Sequence, residues 1–329
     1  MNAFEVIHPG IYTTLQDLGR PGYGRYGIPA SGAADRFSAQ TANLLVGNPP
    51  GAAVLETTLF RLELLALASL TLAVTGGDLS AELNRAPLPT WQSVSVRRGD
   101  RISFPRRRMG LRAFLAVRGG FAGTRILGSR SVFARGLMGG PLKPGEILRT
   151  DNAAVRPAYH GALPANLLPG FSGQLNLRVI SGPQEDRFTP QGLETFLSSE
   201  YTVSPASDRM GYRLQGPKIE HVHGADIISE GIARGAIQVP GDGLPIIMLW
   251  DAQVSGGYTK IANVISADLD RLAQIMPGEK LRFSAVSLET AHAALRKERE
   301  RMARVRRAIE GGDWEASGCQ SGGCRRPDT

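Results

Sequence analysis

Through the first half of the chain, apolar residues alternate with polar ones or form short blocks closed by Gly, Pro or Asp. FEVIHPG at 4–10, LTLAVTG at 70–76, SVSVRRG at 93–99, RISF at 101–104 and LRAFLAV at 111–117 all have this form. It is the pattern of β-strands bounded by turns. One helix interrupts them. In GAADRFSAQTANLLVGN, Phe37, Thr41 and Leu44 fall on one face and Arg36, Gln40 and Asn43 on another, with Gly47 at the position of a terminating glycine. The second half opens on a strand, LNLRVISG at 175–182, and then a short helix begins with Thr189 as cap and Pro190 in its first turn. Near the end, Leu288, Ala291, Leu295, Met302 and Ile309 recur at helical spacing.

The two halves echo each other. ADRFS at 34–38 corresponds to SDRMG at 207–211, and RGDRISF at 98–104 to PGEKLRF at 277–283. The order is the same and the separations are close, 64 residues from Asp35 to Gly99 and 70 from Asp208 to Gly278. Tandem domains of one fold explain this. LPANLLPGFSG supplies a Pro- and Gly-rich boundary, which predicts domains at 1–168 and 169–286, a basic amphipathic helix at 287–310 and a disordered tail at 311–329.

Composition agrees with a globular chain: of 329 residues, 42% are hydrophobic and 21% charged, and the 40 glycines favour a turn-rich, strand-rich fold. The apolar stretch LLALASLTLAV at 64–74 is too short to span a membrane, and MNAFEVIHPG lacks the regions of a signal peptide. Cys319 and Cys324 both fall in the Gly/Ser-rich tail, so no disulfide framework is expected, and a cytoplasmic location is. Much of the formal charge of +8 belongs to RKERERMARVRR at 296–307, where seven basic residues against two acidic ones give +5. Without interleaved aromatics or a nucleic-acid module, this reads as a docked helix with a solvated face, and nucleic acid is not the expected partner.

Standard signatures are missing: there is no G-x-x-x-x-G-K-[ST] phosphate loop and no H-E-x-x-H. His221 and His223 share a face if they lie on a strand, but no third ligand stands near them in sequence, so no metal site is expected. Four stretches are richer. TTLQDLGRPGYGRYGIPASGAAD at 13–35 carries Gln16, Asp17, Arg20, Ser31 and Asp35 among glycines, and SDRMGYRLQG at 207–216 carries Ser207, Asp208 and Arg209. SEGIARGAIQVPGDGLP at 229–245 carries Glu230 and Gln238, and DAQVSGGY at 251–258 carries Asp251, Gln253, Ser255 and Tyr258. Carboxylates and amides beside bare glycine backbone suit a site for a small polar ligand. The same residues can serve as loop staples and strand ends, and spacing alone names no reaction.

These stretches, together with ANLLVGN, LET and GSRS, resemble the family known as KipI antagonist (KipA), allophanate hydrolase subunit 2 or the C-type subunit of 5-oxoprolinase, from about residue 4 to 286. Where that family reads Thr-Thr before the final Gly-Gly-Tyr, this chain has Val254 and Ser255, and Ala34 replaces the usual Met. The resemblance implies a mainly β fold of two tandem cyclophilin-like β-barrel domains with a few short helices. It implies a hydrolase subunit active only in complex with a KipI-like B subunit and a LamB/YcsF-like A subunit, using ATP to open the lactam of 5-oxoproline. Which subunit binds ATP stays open, and no biotin-attachment motif is present in this chain. The alternatives are a non-enzymatic regulator that binds a KipI-like kinase inhibitor, and a carboxyltransferase-like subunit acting on urea or allophanate. On this reading Asp208, Glu230 and Asp251 are the catalytic candidates. Arg209, Gln238, Gln253, Ser255, Gly256, Gly257 and Tyr258 bind substrate, and Gln16, Asp17 and Asn43 serve an equivalent place in the first domain or a partner interface.

Overall fold

The computed structural model describes residues 1–151, 155–156, 158–159, 161–171 and 174–310; the segment expected to be a disordered tail, with Cys319 and Cys324, lies outside them. The fold is mainly β with few helices. In the first half one six-stranded sheet contains Asn2–Pro9 beside Leu62–Ala66. A five-stranded antiparallel sheet places Met109–Val117 between Val54–Thr58 and Leu70–Asp78. Their facing sides share one core, Phe4, Val6, Leu62 and Leu64 from the first meeting Leu55, Leu72, Leu115 and Val117 from the second. The alternation read in FEVIHPG is this arrangement, one face inward and one outward. LRAFLAV is instead buried throughout because a helix covers its other face.

The second half closes into a seven-stranded barrel in the order Gln174–Ser181, Lys260–Val264, Ala236–Gln238, Ile246–Met248, Gly211–Gln215, Tyr201–Val203 and Lys280–Ala285. A parallel pairing of the first and last of these strands seals it, so the barrel exposes no sheet edge there. Leu177, Tyr201, Tyr212, Ile237, Trp250 and Phe283 fill its core. Beside it Asp226–Gly231 and Ser255–Tyr258 pair as a separate, mostly exposed two-stranded ribbon. The run DAQVSGGY after Ile246–Met248 is therefore more than a strand-ending turn. It turns once and becomes a ribbon strand.

Helix α1 (Arg36–Leu45) lies on the five-stranded sheet, packing Ala39, Ala42 and Leu45 on Phe114 and Ala116. Asp35 caps it by accepting from Ser38 N at 2.9 Å, and Gly47 ends it at φ +78°, a conformation open to glycine without steric cost. Helix α2 (Pro190–Ser198) begins where Thr189 Oγ1 accepts from Gly192 N at 3.0 Å. After the short α3 (Leu269–Leu272), α4 (Leu288–Glu310) runs from the barrel to the first half. Ala294 packs near Ile265 and Ala267 of the barrel, while Val305 packs with Phe37, Leu44 and Trp91. The stripe read from sequence is used except at its start: Leu288 is 53% exposed, Ala291, Met302 and Ile309 pack half-buried, and Ala294 and Val305 add the buried contacts. A helix bridging two surfaces need not keep one seam along its whole length. No helix among the described residues is long and apolar enough to cross a membrane.

Candidate functional site

Antiparallel pairing sets Gln238 directly opposite Lys260 on neighbouring barrel strands, with a bulge between Ile237 and Gln238. Opposed residues of such a pair project to the same side of the sheet. Both are buried, at 2% and 4% exposure. In the ribbon, Glu230 pairs with Gly256, and Glu230 Oε1 lies 2.6 Å from Lys260 Nζ. Gln184 completes the group: its Nε2 donates to the same Glu230 oxygen at 2.8 Å, and its Oε1 accepts from Lys260 N at 3.2 Å. The sequence folds this way because Gly182 lets the 182–184 turn press onto the Lys260 carbonyl, where any Cβ would collide. Gly256 does the same from the ribbon, leaving room that a Cβ would fill 3.1 Å from Gln238 Nε2 and 3.7 Å from Gln253 Nε2.

The donors in this cluster are under-used. Gln238 Nε2 is buried without a hydrogen-bond partner, and the Lys260–Glu230 contact is a close ion pair poorly directed as a hydrogen bond. Leaving a buried donor unsatisfied costs about 1–3 kcal/mol, so a group that persists in this state is a reason to look for a ligand. The close Lys260 ammonium, then the hydrogen bond from Gln184, hold the Glu230 carboxyl below its usual range. The cluster therefore offers an ammonium and an amide N–H beside an ionised carboxylate. A carbonyl oxygen fits the first two and a polarised N–H fits the third, which together describe an amide.

The other expected residues gather elsewhere. Arg209 is 7% exposed and bridges the halves: Nε donates to Asp251 Oδ2 at 2.8 Å, Nη1 to Glu56 Oε1 at 2.5 Å and Nη2 to Gly32 O at 2.7 Å. Burial opposes its charge, but Glu56 and Asp251 outweigh that and keep Arg209 above the usual arginine range. Arg112 joins with Nε 3.4 Å from Glu56 and Nη1 donating to Tyr212 Oη at 2.9 Å. Asp208 caps a turn, accepting from Met210 N at 2.7 Å, and pairs across the halves with Arg135 at 2.9 Å. These groups border a cleft of about 510 Å³ with Tyr12, Leu59 and Met210.

Asp17 staples the GSRS segment, accepting from Ser129 and Ser131 Oγ, both at 2.6 Å, and from Arg130 N at 2.6 Å. Gln16 donates to Thr14 Oγ1 and Val132 O, and Asn43 ties the end of α1 by donating to Ala52 O at 2.8 Å. Gln253, Ser255, Gly256, Gly257 and Tyr258 lie on or next to the ribbon, with Tyr258 42% exposed opposite Asp226. Thus the structure brings together Glu230, Gln238, Gln253 and Gly256, and separately Asp208, Arg209 and Asp251. Sequence reasoning passed over Gln184 and Lys260. Lys260 had a readable signal, a lone cation at the head of the mostly apolar strand KIANV.

A closed barrel joined through buried ion pairs to a two-sheet partner defines a protein built from two β subdomains. Residues 26–285 match the carboxyltransferase domain family, subdomains A and B, and the chain belongs to that family. It is 35% identical to the C-type subunit of the Escherichia coli K12 5-oxoprolinase, covering 87% of this chain and 92% of that protein. It is 37% identical to a Lachancea kluyveri urea amidolyase over 88% of this chain, but spans only 17% of that much longer protein. The crystal structure of the Kluyveromyces lactis urea amidolyase superposes with a TM-score of 0.87 at 34% identity, covering 94% of this chain and 20% of that one.

Proposed function

We propose that this chain is the C-type subunit of an ATP-dependent 5-oxoprolinase, active with a KipI-like B subunit and a LamB/YcsF-like A subunit. The observation that carries the reading is the buried Lys260–Gln238 pair beside ionised Glu230. A lactam is an amide locked in its cis form and a poor electrophile, so its oxygen must be made nucleophilic before ATP can activate it. Lys260 Nζ and Gln238 Nε2 hold that oxygen as negative charge builds on it, and the free Glu230 oxygen takes the lactam N–H proton. Transfer of the terminal phosphoryl group of ATP to that oxygen would release ADP; water then adds to the activated carbon, the ring nitrogen regains a proton as its C–N bond breaks, and phosphate leaves to give glutamate. Gly256 and Gly257 keep the ribbon backbone close, Gln253 adds a polar contact and Tyr258 forms an outer wall. Asp251 and Arg209 act by positioning: Asp251 N donates to Arg209 O at 2.9 Å and anchors the chain that leads into the ribbon. Asp208 holds the two halves together through Arg135.

A second reading is a carboxyltransferase role toward urea or a related amide, favoured by the fold match to the urea amidolyase. The near-complete overlap with the free-standing 5-oxoprolinase component, against 17% of the amidolyase, weighs toward the first. The test is to purify the chain with A- and B-type partners from its own genome and follow ADP release and glutamate formation with 5-oxoproline, with and without the chain. Glutamate formed only in its presence is the expected result. Turnover of urea but not 5-oxoproline transfers the assignment to the second reading. A stable complex with the B-type partner and no turnover of either points to a KipA-type regulator.

A further inference from the structure

A second cleft, of about 840 Å³, lies between α1, the barrel face that carries Arg234 and Trp250, and α4. None of Gln184, Glu230, Gln238, Gln253, Gly256 or Lys260 lines it. Four arginines border it, Arg36, Arg234, Arg299 and Arg306, against two carboxylates, Asp270 and Glu298. Neither carboxylate makes a salt bridge to any of the four, although Asp270 is close enough to offset part of the charge of Arg36 and Arg234. Asp270 accepts from the backbone N–H groups of Arg36 and Phe37 at 3.0 and 3.1 Å, and Glu298 pairs with Arg301 at 3.4 Å. Arg36 and Arg234 each make one long hydrogen bond to a carbonyl, Leu18 O at 3.3 Å and Ser31 O at 3.4 Å. Arg299 and Arg306 make none with the described residues.

Each guanidinium presents five N–H donors in a planar fork. Four such forks around one cavity leave most of their donors to solvent or to a ligand. Arg234 is half-buried over Trp250, its guanidinium carbon 5.9 Å from the ring, with no carboxylate within ion-pair distance. Burial, then the like charges of Arg36 and Arg209, pull it down to about 10. Like charges crowded into a recess repel one another, and an anion there relieves that cost. Trp250, Met302 and Phe37 supply an apolar wall on which the rest of a small ligand can rest.

We propose that this cleft is an oxyanion-binding site, taking a small molecule through its carboxylate or phosphate group by the guanidinium forks of Arg234, Arg299, Arg306 and Arg36. Bidentate capture by arginine is the geometry that suits both kinds of oxyanion. Because α4 supplies two of the four forks, the same helix that ties the halves together also completes the site.

The test is isothermal titration of the full chain with inorganic pyrophosphate and, separately, with succinate; whichever binds identifies the ligand as phosphate- or carboxylate-bearing. Both outer arginines are exposed, so Arg299→Gln with Arg306→Gln keeps the fold and is expected to weaken binding at least tenfold. A control that removes equal charge from exposed α4 positions outside the cleft, Arg296→Gln with Arg307→Gln, is expected to leave it within about twofold. Binding of neither probe overturns the proposal, as does an equal loss in both double variants, which marks the general field of a basic helix. Circular dichroism and the thermal midpoint confirm that each variant is folded.

Discussion

At the scale of single residues, the molecule separates charges that hold it together from polar groups left available. Glu56, 1% exposed, faces both Arg209 and Arg112 and also accepts from Ala34 N at 2.8 Å. Removing it leaves buried Arg112 without a carboxylate and Arg209 with Asp251 alone, so Glu56→Ala should cost about 3–5 kcal/mol of unfolding free energy. Urea denaturation checks this, and a loss below about 1 kcal/mol would show that Glu56 does not hold the buried network together. Gly256 makes the complementary case. A methyl there meets the movable end of Ile232 at 2.7 Å and Gln238 Nε2 at 3.1 Å. Gly256→Ala should leave the thermal midpoint nearly unchanged while raising KM for the amide substrate about tenfold, the equivalent of one hydrogen bond. An unchanged KM would place the substrate elsewhere. The sequence announced carboxylates and amides beside glycine, but not which were already satisfied. Asp17, in a motif of the same look as DAQVSGGY, turns out to spend its carboxylate on Ser129, Arg130 and Ser131, partners more than a hundred residues away.

At the scale of elements, local chemistry was legible and long-range pairing was not. One echo persists as a matching turn, while at the other Asp35 opens a helix and Asp208 a turn into a strand. Gly99 and Gly278 adopt φ +92° and +89°, and the next residues, Asp100 and Glu279, accept from Arg97 N at 2.7 Å and Met276 N at 3.0 Å. Asp35 and Asp208 each cap the backbone just after themselves. Helix starts at Asp35 and Thr189 could be read because a cap acts within three residues. The parallel closure of the barrel could not, since nothing in LNLRVISG specifies a partner over a hundred residues on. The start of α1 carries a further consequence. Burial, then the charge of Asp35, raises the Asp270 carboxyl to about 7. Its folded pKa thus lies above an unfolded value near ~3.9. Between those values the folded state binds more protons, so the stability this group contributes is present below that window and lost as pH rises through it. Asp270→Asn removes the dependence, and its stability relative to the native chain should therefore improve from pH 5 to pH 8. Chemical unfolding at the two values decides the point; an equal difference at both contradicts the raised pKa.

At the scale of the whole molecule, two halves are joined by buried ion pairs and by α4. The helix buries Val305 against Phe37, Leu44 and Trp91, and Arg301 lies 4.0 Å over the Phe37 ring. Deleting residues 288–310 should cost at least about 2 kcal/mol, the burial of one large aliphatic side chain, as a lowered thermal midpoint. Retention of full stability would mean that the helix is only a passenger. Its basic composition was plain in the sequence, whereas its bridging role depends on where the halves lie, which no local pattern encodes. The amide-complementary cluster was half legible for the same reason: Glu230, Gln238 and Gln253 stand in recognisable motifs, while Gln184 and Lys260 enter only when the strands align. The most direct measurement of the central claim uses the assembled complex with Lys260→Met in this chain. 5-Oxoproline-dependent ADP release and glutamate formation should fall about 10²–10³-fold, the range for losing one oxyanion-stabilising donor, with the complex still formed. Turnover within a few-fold of the native complex would contradict the account and remove Lys260 from the chemistry.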